Sequence, residues 1–112
     1  MIEIMAKNHL MTFLSVPVYI DTPADRTADA YVVIERTSGG ETEHIRSATI
    51  AIQSYGASKY AAAELHEQIL AGFPAIADGA YISACDLNAE YDYTDTTTKQ
   101  YRYQAVYNII YY

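Results

Sequence analysis

The chain is 112 residues long, the size of one domain that can build its own core. Apolar residues make up 51% and charged residues 19% of it, a globular rather than disordered composition, and no apolar stretch approaches the ~20 residues of a bilayer span. Fourteen acidic residues against seven basic ones give a net charge of -7, too few cations for tight sequence-independent nucleic-acid binding, which works by displacing phosphate counterions.

The single cysteine, Cys85, rules out an internal disulfide and a cysteine-based zinc cluster. Glu3 stands where a signal peptide would carry basic residues before an apolar run, so the start reads as that of a cytosolically made protein. Twelve tyrosines accompany two Phe and no Trp, and they crowd into the last third of the chain. Tyrosine pairs a large apolar ring with a polar tip, which suits half-buried sheets and interfaces.

In chain order, Ile2, Ala6, Leu10, Phe13 and Leu14 form one stripe at helical spacing, predicting a helix over 2–14. Val16 to Ile20 reads as extended, because Pro17 pushes Val16 out of the α region. The donor that Pro17 lacks marks this as an edge strand. Asp21 to Ala30 is polar and contains Pro23, a loop. Tyr31 to Arg36 is β-branched and aromatic, the clearest strand in the chain. Thr37-Ser38-Gly39-Gly40-Glu41 follows as the expected hairpin turn. From His44 to Tyr55 the chain alternates, with Ala48, Ile50 and Ile52 on one face and Thr49 and Gln53 on the other.

Ser58 is the expected N-cap of a central helix whose stripe is Ala62, Leu65, Ile69 and Phe73, stopped by Gly72 and Pro74. Ala80 to Tyr93 returns to strand, with Tyr81, Ser83 and Cys85 on one face, Ile82 and Ala84 on the other, and a bulge expected over 86–88. A polar turn spans 95–99. The last strand, Gln100 to Tyr112, sets Tyr101, Tyr103, Ala105, Tyr107, Ile109 and Tyr111 opposite Arg102, Gln104, Val106, Asn108 and Ile110. The pattern defines one α+β domain over the whole chain. Its mainly antiparallel sheet has about four to five strands, packed with an N-terminal and a central helix.

No arrangement of residues carries chemistry. Gly39-Gly40 lacks the Lys-Ser/Thr pair of a phosphate loop, and His9, His44 and His66 fall on three elements without zinc spacing, reading as solvent or interface residues. Cys85 in an alternating strand reads as inert. Glu90, Asp92 and Asp95 read as a solvated hairpin end rather than a carboxylate pair flanking a cleft. The expectation is a non-enzyme that needs no cofactor and no metal.

The chain resembles the tail-terminator or tail-completion proteins of long-tailed bacteriophages. Four ordered stretches carry the resemblance: Val16 to Tyr19, Tyr31 to Gly40, Ile50 to Lys59 leading into the Ala-rich helix, and Gln100 to Tyr107. It implies a homo-hexameric ring at the tail–head junction of the virion. Such a ring caps the tail tube, ends its polymerisation and presents a face to the head-completion or neck protein, while DNA passes its lumen without specific binding. Alternatives of other kinds are a neck adaptor, another minor tail protein, or a monomeric peptide- or ligand-binding module. A closing ring needs two different patches per subunit. The central helix and the Tyr-rich face of the last strands are the expected pair, with Arg36, Ser38, Glu41, Lys59, Glu64, Glu67, Tyr91, Tyr93, Tyr101 and Tyr103 as candidate contacts.

Overall fold

Alternation of apolar and polar residues in four segments builds the centre of the molecule, seen in a computed structural model that describes residues 1–21 and 29–112. The expected loop at Asp21 to Ala30 therefore lies, over 22–28, outside the described residues. Helix α1 (Ile2–Met11) is followed by β1 (Val18–Tyr19), β2 (Tyr31–Thr42), β3 (Ile45–Gly56), helix α2 (Lys59–Gly72), a 3-10 helix (Phe73–Asp78), β4 (Ile82–Asp92) and β5 (Tyr101–Tyr111). The strands form one mixed sheet in the order β1-β2-β3-β5-β4. Only β1 and β2 run parallel; the other three pairings are antiparallel.

Both helices lie on the same face of this sheet. Ile2, Ala6 and Leu10 from α1 and Leu65 and Ile69 from α2 meet Val32, Ile34, Ile50, Ile52, Ala105, Tyr107 and Ile109 from the strands, with Phe73 of the 3-10 helix among them. Each fully buried Val, Leu, Ile or Phe among them contributes about 1.5–3 kcal/mol. Helix α2 starts where expected: Ser58 is extended and its Oγ accepts the Ala61 N–H at 3.1 Å. Gly56 makes this tight strand-to-helix passage feasible, since a Cβ there would fall 2.5 Å from the Ala62 nitrogen.

Three expectations are corrected: the end of the first helix, the β2–β3 turn and the face of Cys85. The first helix ends at Met11, three residues early, where the Thr12 hydroxyl donates to the His9 carbonyl at 2.6 Å. Such side-chain bonding draws the chain out of helix. Phe13 then leaves the stripe and lies over Gly72. The β2–β3 turn is at Glu43–His44, both with positive φ (52° and 70°), and not at Gly39-Gly40. The glycines pair with Ala48 and Ser47, and none takes a positive φ. Ladder bonding thus overrode the local turn preference. Helix α2 stops at Gly72 as expected, and the chain goes on as the 3-10 helix, with Pro74 in its first turn. In β4 an unforeseen bulge falls between Ile82 and Ala84, and the one expected over 86–88 falls between Leu87 and Ala89. The first moves Cys85 onto the helix-bearing face with Ile82, where it packs against the core.

The two β2–β3 arms stay paired to Thr42↔Ile45, while β1 covers only Val32 and Val33. The distal hairpin therefore reaches past the helices, which gives the molecule extents of 44 × 25 × 24 Å.

Candidate assembly surface

The sheet face opposite the helices has two halves of different character. Near Gly56 it is closed by its own side chains. The Tyr31 and Tyr55 rings stack with centroids 4.5 Å apart, and Tyr55 donates to Gln53 Oε1 at 3.0 Å. Gln53 donates to Gln104 Oε1 at 2.9 Å, and Gln104 donates to the Tyr91 hydroxyl. The Arg102 guanidinium lies 4.4 Å from the Tyr93 ring centroid and donates to the Tyr93 carbonyl at 2.7 Å. Buried amides satisfied in this way hold their neighbours in register.

Toward the hairpin tip the same face is low. Ser38, Gly40, Ser47, Thr49 and Asn108 provide little side-chain height, leaving a concavity of about 410 Å³. A second, of about 310 Å³, lies beside it between Ile45 and Ile110. Those isoleucines are 47% and 40% exposed, on the strand parity that carries mostly polar residues, Ala51 and Val106 excepted. That phase error was the sequence signal for them: Ile45 precedes Ser47, Thr49 and Gln53, and Ile110 follows Gln104 and Asn108 at even spacing.

The candidates read from the sequence separate into four places. Arg36, Ser38 and Glu41 are exposed on the distal arm, where Arg36 Nε donates to the Ser38 carbonyl at 3.4 Å. Glu64 and Glu67 lie exposed on α2 beside Tyr60, while Lys59 pairs with Asp92 at 3.5 Å. Tyr91 and Tyr93 belong to the open face described above. Tyr101 and Tyr103 do not join them. The Tyr-bearing row of β5 faces the helices, with Tyr107 and Tyr111 buried and Tyr103 tilted against the His66 ring at 5.2 Å. This corrects the expectation of an open Tyr-rich patch there; the apolar row of a two-faced strand turned to the helices, as its Ala105 and Ile109 required.

His44 is exposed at the β2–β3 turn as expected, whereas His66 is not. His66 is buried on the helix side, with its Nε2 3.5 Å from a Glu90 carboxylate oxygen. His9 Nε2 lies 2.9 Å from the Gly72 carbonyl at the end of α2; a carbonyl only accepts, so Nε2 carries the proton. Ser54, His66 and Tyr107 place polar atoms under α2 without a hydrogen-bond partner among the described residues. Ser54 and His66 are closed off from solvent, so a substrate has no approach to them. Burial first, then the Asp86 charge, pushes the Cys85 thiol up to about 11, far from a reactive thiolate. Among the described residues no group of three His, Cys, Asp or Glu could hold a metal, and no helix is long and apolar enough to cross a membrane. No family model matches the chain, and no curated protein matches it significantly.

Proposed function

We propose that this chain is a structural subunit that assembles head to tail into a ring, in the manner of phage tail terminators, and performs no reaction. The observation that carries the reading is the distal hairpin. It extends beyond the helices and presents two exposed isoleucines and two shallow concavities on a face that no helix covers. Exposed apolar surface flanked by polar residues is characteristic of a face that another macromolecule covers. The ordered resemblance of four sequence stretches supplies the kind of assembly: a hexamer, capping a tail tube and joining it to the neck within the virion. The acidic net charge of -7 per copy supports a lumen that repels phosphate and lets DNA slide through.

Native mass measurement over a concentration series, with negative-stain imaging of the largest species, tests this. The expected result is an annulus of six copies. A strictly monomeric protein at every concentration would overturn the reading and favour the alternative of a solitary binding module.

A further inference from the structure

Resting on that ring reading, we infer that the ring closes by β-strand addition: the distal edge of β2, centred on Gly39-Gly40, pairs with β4 of the next copy. The two glycines have no work to do inside one subunit. Neither takes a positive φ. A Cβ on Gly40 would meet only Ser47 Oγ, at 3.7 Å, and the nearest atoms to one on Gly39 would be those of the movable Arg36 guanidinium. Glycine in a strand interior weakens the strand, and it often marks a place where another backbone comes close.

Both edges are unpaired among the described residues. Among the described residues β2 has no outer neighbour from Ile34 to Thr42, and β4 has none along its length. Natural sheets guard such edges with charges, Pro or bulges; Ser38 to Thr42 has no Lys or Pro and one charge, Glu41, and the bulge at Thr37 lies before the glycines. The polarity also matches. Three successive antiparallel pairings separate β2 from β4, so the two strands run in opposite directions. A neighbour that continues the sheet in the same orientation therefore sets its β2 antiparallel to this β4, the more favourable pairing.

The levels match as well. Gly40 pairs with Ser47, Ser47 with Ile110 and Ile110 with Ala84, so Gly40 and Ala84 lie in one row across the sheet. Without stagger, Gly40 of one copy faces Ala84 of the next, small against small. Arg36, which has no ion pair among the described residues, then approaches a strand bearing Asp86, Glu90 and Asp92 and no base. The two patches differ, so the contact is head to tail and generates a ring rather than a two-fold dimer.

Cysteine cross-linking in a Cys85→Ala background tests the pairing. Chains with Gly40→Cys alone and chains with Ala84→Cys alone are oxidised separately and then mixed. Directly opposed antiparallel residues bring their Cβ atoms close to disulfide distance. The expected result is a covalent dimer only in the mixture, and from the double variant a ladder that stops at the ring's copy number. Thr42→Cys, one pleat along the same face, covers a stagger of two residues. Cross-linking of Ala84→Cys with itself would overturn the inference, because β4 edges would then meet about a two-fold axis. Intact rings with no heterotypic cross-link at either position would overturn it too, while leaving the ring reading standing. Folded monomers before any substitution would defeat both. Gly40→Lys provides a second measure: normal thermal unfolding with loss of the ring species is expected, and rings undiminished would count against the inference.

Discussion

The Tyr107 hydroxyl is buried between sheet and helices with no hydrogen-bond partner among the described residues. Burial foremost, then Cys85 and Glu90, pushes its pKa from 10.0 up to about 12. A group raised in the folded state contributes stability fully present below its unfolded pKa, and that contribution is lost as the pH rises from about 10 toward 12. Cys85, raised from 9.0 to about 11, adds the same trend one unit lower. Tyr107→Phe removes the unsatisfied hydroxyl while keeping the ring against Phe73. It should raise stability by about 1 kcal/mol near neutrality and flatten the alkaline decline. Urea titrations at about pH 7 and about pH 10.5 measure both; a loss of stability at neutral pH would mean that the hydroxyl is satisfied. Tyr103 belongs to the same scale: with its ring on His66, Tyr103→Asp would strike the packing beneath α2 and not an open contact.

Among the elements, the passage from β3 into α2 is the least forgiving. Gly56→Ala drives a methyl into backbone at Ala61 and Ala62, and backbone cannot rotate aside as a side chain can. A loss of about 1–3 kcal/mol is expected, read as a fall in denaturation midpoint with loss of helical circular dichroism; an unchanged midpoint would show that α2 can shift. Element types were legible because periodicity is a property of the residues themselves. Ala62, Leu65, Ile69 and Phe73 are all buried as their spacing required, and the alternation of burial in β5 holds from Ala105 to Tyr111. What escaped was decided by partners. Gly39-Gly40 carries a turn preference that yielded to eleven ladder pairs between β2 and β3. The Tyr row of β5 has interface composition, yet which face the helices take depends on neighbours that one strand does not encode. The exposed isoleucines were visible as phase errors, but their meaning depended on a hairpin longer than its turn signal implied.

At the scale of the whole molecule, the helices burden one side of the sheet and leave the distal hairpin without a core of its own. Its stiffness then comes from its ladder alone and, in the assembly proposed above, from the adjoining copy. Subunits at -7 repel one another over roughly a Debye length, about 10 Å at 0.1 M salt. The fraction assembled should therefore rise between about 20 and 300 mM salt, as followed by sedimentation; a steep fall would indicate that ion pairs such as those of Arg36 dominate the contact.

The register irregularities are not spread evenly over the sheet. β3 and β5 pair through eleven residues without interruption, while Thr37 and, on the far side, Ser83 and Asn88 stand outside the pairing. An extra residue bends its strand and increases local twist, so in the assembly proposed above the wedge angle between copies would be set at the margins. Deleting Ser83 or Asn88 should then change how many subunits complete a circle before it abolishes the circle. Ring diameter would be a quantity adjusted by single residues at the rim of the sheet, with the interior left untouched.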